Sequence, residues 1–114
     1  MSKKSEKILM LVTAGSSEEA SRIGKTLVEK RLAACCSIIP EIQSIYWWEG
    51  RITEDAEVLL LIKSLKSDEK NIIDTVKSMH SYEVPEIISL EMKSGFEKYF
   101  QWIEDNVISG KISK

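Results

Sequence analysis

Two five-residue runs, Ile8–Val12 and Val58–Ile62, are apolar at every position. A strand with one wet face alternates apolar and polar residues, so each run predicts a strand covered on both faces. A chain of 114 residues must meet that demand, and this is the length of one domain. A single domain is expected over 1–114, with its ordered core at about 7–109.

The elements between these runs fix the fold class. Gly15 ends the first run. Ser16 followed by Glu19 has capping-box spacing, which predicts a helix start. Ala20, Ile23, Leu27 and Val28, with Leu32 one turn on, trace one helical face. Gly24 shares that face; it costs about 1 kcal/mol relative to alanine, which a close helix–sheet contact would offset. Ala33 to Ile39 and Ile42 to Trp48 read as one long strand, with Pro40 marking a bulge or an edge. Glu49-Gly50 is turn material, and the strand from Arg51 to Lys63 should return as an antiparallel hairpin. Ser67-Asp68-Glu69 is cap-like and opens a helix with Ile72, Ile73, Val76 and Met79 at helical spacing. That helix must end before Pro85. Glu86 to Met92 reads as a strand. Phe96, Tyr99, Phe100, Ile103 and Val107 are spaced as a third amphipathic helix, and Gly110 with the Lys-Ile-Ser-Lys end reads as a frayed tail.

The order β-α-β-β-α-β-α predicts an α+β, ferredoxin-like antiparallel sheet with two helices on one face and a C-terminal helix added. Helices on one face leave the other face of the apolar strands bare, and one short helix is too small to cover four strands. A second copy of the chain is the expected cover. Pairing would also protect the edges of the long hairpin. We therefore expect a homo-oligomer.

Composition excludes several classes. Lys+Arg is 16 against Asp+Glu 18, a net charge of −2, whereas nucleic-acid binding usually shows a cationic excess. No apolar run reaches 18 residues, so no membrane span is expected. The lysine-rich Met1 to Lys7 with the short run behind it does not read as a signal peptide, so a cytoplasmic protein is expected.

Candidate chemistry is sparse. Cys35 and Cys36 are adjacent, point to opposite faces of a strand, and read as small buried hydrophobes. Gly24-Lys25-Thr26 lacks the upstream glycine of a phosphate loop, since Glu19 stands there. A Cys36–His80 nucleophilic pair has no orienting third group, and no enzyme is expected. His80, the only histidine, lies near a helix C-terminus where its cationic form is favoured, and reads first as a capping or hydrogen-bonded residue. With Glu83 and Glu86 it is also a candidate metal set, although not a closed zinc site. In Tyr46-Trp47-Trp48, Tyr46 and Trp48 share one strand face, which suits an inter-subunit contact. Glu57 and Lys63 share a face about 20 Å apart, too far to pair within the strand, so partners on a neighbouring strand or subunit are expected.

Several segments together resemble one family. They are Leu32-Ala33-Ala34-Cys35, Tyr46-Trp47-Trp48-Glu49-Gly50, Glu57 with Lys63, His80-Ser81-Tyr82-Glu83-Val84-Pro85-Glu86, and Tyr99 with Trp102. The chain resembles the CutA divalent-cation tolerance proteins from about Ile8 to Val107. The resemblance implies a compact homotrimer similar in architecture to the PII signalling proteins, a link to tolerance of divalent metals, copper especially, and no enzymatic activity. It implies no obligatory cofactor, with copper as the candidate divalent cation at His80, Glu83 and Glu86. The alternatives are a PII-like regulator binding a small, anionic metabolite in inter-subunit clefts, and a structural scaffold. Tyr46, Trp48, Glu57 and Lys63 are the candidate cleft residues of the hairpin. Tyr82, Tyr99 and Trp102 are those from the rest of the chain. Val12 stands where some members carry cysteine, Met79 where some carry histidine, and Ser81 where proline is usual.

Overall fold

The computed structural model describes residues 6–110. The polar start, 1–5, and the residues 111–114 expected to fray lie outside the described residues. Gly110, expected to fray with them, is buried instead, its N–H donating to Val107 C=O at 3.0 Å. The elements are β1 (Lys7–Ala14), α1 (Ser17–Glu29), β2 (Cys35–Trp48), β3 (Arg51–Leu65), α2 (Glu69–Met79), β4 (Ile87–Glu91) and α3 (Glu97–Asp105). The four strands form one antiparallel sheet in the order β2-β3-β1-β4. This is the expected β-α-β-β-α-β arrangement with a third helix.

The core lies between the sheet and the first two helices. Met10 and Val12 of β1, Leu60 and Ile62 of β3, Ile23 and Leu27 of α1, and Ile72 and Val76 of α2 are all 0% exposed. Each such aliphatic side chain contributes about 1.5–3 kcal/mol by leaving water. Gly24 permits the close approach of α1 to β2. A Cβ there would lie 3.0 Å from the Cys36 sulfur and 3.4 Å from the Cys36 Cβ. Burial pushes the Cys36 thiol up to about 11, as expected of a cysteine packed as a hydrophobe.

Helix α1 stops in a left-handed turn. Leu32 N–H donates to Leu27 C=O and Arg31 N–H to Val28 C=O, each at 3.0 Å. Arg31 has φ 62°. These two bonds form a Schellman motif, with Leu32 packing back on the helix it no longer belongs to. Leu32 is therefore buried from outside the helix rather than as its next turn, and Val28, 39% exposed, lies off the buried stripe.

The opposite face of the sheet is apolar and largely bare. Leu9, Leu11, Leu59 and Leu61 are half-buried, and Ile88 and Leu90 are 42% and 46% exposed. Helix α3 covers one end only, where Leu65, Ile103 and Val107 form a small second cluster with Phe100 and Met92. It is shorter than its apolar spacing predicted: Phe96 caps it and is 72% exposed, while Val107 is buried beyond its last turn. Asp68 also departs from expectation. It makes no side-chain cap to α2. It is buried, and the Ser109 hydroxyl donates to it at 2.6 Å with the Ser64 hydroxyl at 3.2 Å. Burial raises its carboxyl above the ordinary value despite those bonds.

Candidate functional site

The hairpin sets the site by a change of phase. Ile39 pairs with Leu59 and Ile42 with Glu57, so Pro40 and Glu41 together face Val58. This is a β-bulge, and the extra residue moves the even-numbered positions of β2 to the other face. Before the bulge, Cys35, Ser37 and Ile39 share the bare face of the sheet. After it, Ser44, Tyr46 and Trp48 do, alongside Asp55 and Glu57 of β3. The turn beyond is a two-residue loop with φ 51° at Glu49 and 78° at Gly50, the left-handed pair that closes a tight hairpin.

The α2–β4 loop forms the second wall, and its anchor is Glu19. Ser16 accepts from Glu19 N–H at 3.1 Å, as the capping spacing predicts. The Glu19 carboxylate does not reach back to Ser16. It takes the Ser81 N–H at 2.7 Å and the Ser81 hydroxyl at 3.0 Å, and lies 3.5 Å from His80 Nδ1. Burial raises the Glu19 carboxyl, but the Ser81 bonds, the His80 ring and the Gly15 N–H outweigh it and hold it below its ordinary value. A proline at position 81 would offer neither N–H nor hydroxyl.

His80 is fully enclosed, its side chain 0% exposed. Its Nδ1 accepts from Tyr82 N–H at 3.0 Å, and its Nε2 bonds to Thr13 C=O at 2.7 Å. A carbonyl only accepts, so the proton in this pattern sits on Nε2. The ring holds the loop in the hydrogen-bonded role. For His80 to bind a metal, it must release one of these partners. Among the described residues, no group of three His, Cys, Asp or Glu side chains is gathered to hold a metal ion.

The anchored loop delivers Tyr82. Its ring lies 4.7 Å from that of His80, and its hydroxyl donates to Glu57 at 2.8 Å. Burial, then Glu57, pushes the Tyr82 hydroxyl well above its ordinary value. Opposite, the Tyr46 hydroxyl donates to Asp55, and that bond pushes the Tyr46 hydroxyl above its ordinary value as well. Hairpin and loop enclose a cleft of about 680 Å³. Tyr46, Trp48 and Tyr82 supply its aromatic surface, Asp55 and Glu57 its inner carboxylates, and Glu83 and Glu86 its rim.

The remaining expected cleft residues lie elsewhere. Lys63 donates to Ser37 at 2.8 Å and lies 3.8 Å from the Cys35 sulfur, at the α3 end of the same face. Tyr99 and Trp102 stack there at 5.7 Å. One chain therefore gathers Tyr46, Trp48, Glu57 and Tyr82, and separately Lys63, Tyr99 and Trp102. Sequence reasoning missed Glu19, Thr13 and Asp55. For Glu19 the signal was present in Ser81, whose N–H and hydroxyl need an acceptor where the usual proline needs none.

The comparisons with known proteins bear on the whole of this arrangement. Residues 8–106 match the model of the CutA1 divalent ion tolerance protein family. The chain belongs to this family. It is 43% identical to the divalent-cation tolerance protein CutA of Thermus thermophilus over 86% of this chain and 95% of that protein. It is 47% identical to the human protein CutA over 81% of this chain, and 40% identical to the chloroplastic protein CutA 1 of rice over 87%. These matches span 51% of the human protein and 56% of the rice protein, about half the length of each. The crystal structure of rice CutA1 superposes with a TM-score of 0.89 at 39% identity, covering 93% of this chain and 97% of that one. The Thermus structure gives 0.86 at 42% identity, covering 89% and 98%. The family description and the names of the Thermus protein speak of ion tolerance. Relatives carry chloroplastic and periplasmic labels, so the family does not fix a compartment. Among the described residues no helix is long and apolar enough to cross a membrane.

Proposed function

We propose that this chain serves divalent-cation tolerance as a homotrimer whose clefts carry the response to the cation. The observation that supports the reading is the bare apolar face with unmatched charges at its two ends. Glu57 sits at one end and Lys63 at the other, and neither makes an ion pair among the described residues. A head-to-tail ring of copies covers the face and brings the Lys63, Tyr99 and Trp102 end of one protomer towards the cleft of the next. A contact between different patches closes into a ring rather than a two-fold pair. The unpaired thiols of Cys35 and Cys36 suit the reducing cytoplasm in which we place it.

In this reading a divalent cation enters at Glu83 and Glu86, with His80 joining when its ring gives up Thr13 or Tyr82. Oxygen donors suit hard cations, and the imidazole is what brings copper within range. Titration of the purified chain with Cu(II) should show saturable binding that weakens at least tenfold in His80→Ala. Binding unchanged by that substitution contradicts the assigned site, and no saturable uptake contradicts the metal reading.

A second reading is favoured by the size of the cleft, which lies within the range of small-ligand pockets. The trimer then acts as a PII-like regulator that takes an organic ligand between protomers. The acidic lining of the cleft speaks against an anionic metabolite at that place.

A further inference from the structure

The cleft has a specific chemical complement. Its sheet side carries Asp55 and Glu57, its loop side Glu83 and Glu86, and no lysine or arginine among the described residues lines it. Glu57 is only 9% exposed. One of its oxygens takes the Tyr82 hydroxyl, and the other has no protein donor among the described residues. No buried side-chain nitrogen or oxygen there lacks a partner, so this second oxygen is open to the cleft. An ammonium group seated there would donate to this open oxygen in a charge-assisted hydrogen bond.

The walls narrow the choice of cation. Tyr46, Trp48 and Tyr82 present aromatic surface to the same space. Aromatic faces attract ammonium groups and bury the carbon attached to them. A hydrated inorganic ion gains nothing from Trp48, which is 58% exposed in the single chain. A volume of about 680 Å³ also exceeds the need of a bare ion.

We propose that the cleft is a receptor for an alkylammonium group, its nitrogen on Glu57 and its carbon chain against Tyr46, Trp48 and Tyr82. The proposal rests on the cleft being a ligand site, as above, and names the ligand class. An alkylammonium group has two sources. One is a free amine. The other is Lys63 of a neighbouring copy, since Lys63 lies about 20 Å along the face from Glu57 of its own chain and cannot reach it.

The test is calorimetric titration of the purified full chain with n-butylammonium chloride, set against 1-butanol and against sodium chloride at matched ionic strength. Glu57→Gln keeps an acceptor for the Tyr82 hydroxyl and removes the charge; Asp55→Asn is the second charge variant. Saturable binding of butylammonium alone, weakened at least tenfold in Glu57→Gln, supports the proposal with a free amine as ligand. Binding absent in the wild type but present in Lys63→Met, and lost again in Glu57→Gln/Lys63→Met, supports it with the neighbour's lysine as ligand. No amine binding in either background overturns it. So does an equal response to butanol or sodium chloride, or equal affinity in both charge variants. Light-scattering mass on the same samples separates this from the assembly reading. A trimer that binds no amine either with Lys63 in place or in Lys63→Met overturns the receptor, whereas a monomer that binds one overturns the trimer.

Discussion

On the helix side of the sheet, Met10, Val12, Leu60 and Ile62 are fully buried. On the other side their neighbours in the same strands, Leu9, Leu11, Leu59 and Leu61, are half-buried, and Ile88 and Leu90 are exposed. The two faces are equally apolar in sequence and unequally covered in the chain. One face completes itself within the protomer and carries its stability. The other is left open, and it ends in the acidic cleft.

The largest expected effect breaks this contrast directly. Leu60→Ala should cost about 3 kcal/mol at any protein concentration, because its cavity lies inside the protomer. Leu61→Ala should cost much less in the separated protomer, with a loss that grows on dilution. Denaturant unfolding of both variants at two concentrations checks this, and equal, concentration-independent losses would remove the distinction between the faces.

The loop that walls the cleft comes next. Ser81→Pro deletes two donors to a buried carboxylate and should cost about 1–3 kcal/mol. Because the folded Glu19 carboxyl is held below its ordinary value of 4.5, its contribution is fully present above that value. It is lost as pH falls through the depressed folded value. Glu19→Gln should therefore flatten the acid limb of the stability profile. A wild-type slope in that variant would contradict the role given to Glu19.

Smaller effects sharpen the packing account. Gly24→Ala gains helix propensity but drives a methyl to within 3.0 Å of the Cys36 sulfur, and should cost about 1 kcal/mol net. In a Cys36→Ala background the same substitution should become neutral or stabilising, as a double-mutant cycle by thermal unfolding would show. Arg31→Gly relieves the left-handed φ of 62° at the end of α1 and should add about 0.5 kcal/mol.

Much of this was legible in the chain. The Ile8–Val12 and Val58–Ile62 runs announced strands needing two covers, Pro40 announced the bulge, and Gly24 announced the close helix contact. Tyr46 and Trp48 were placed correctly on one face because strand alternation is local. What stayed hidden depends on contacts across long separations. Glu19 looked like half of a capping box because its acceptor role serves Ser81, 62 residues away. Asp68 looked like a cap because the hydroxyl of Ser109 that claims it belongs to a distant turn. Sequence shows that Glu57 and Lys63 share a face, but not that Tyr82 gathers at one end of it and Tyr99 with Trp102 at the other.

The central claim is that the bare face joins copies of the chain. It is tested most directly by light-scattering mass of the purified protein beside Leu61→Asp, which puts a charge on that face without entering the core. The account predicts the mass of three chains for the wild type and of one folded chain for the variant. A single-chain mass for the wild type, or a trimer that survives Leu61→Asp, would contradict it.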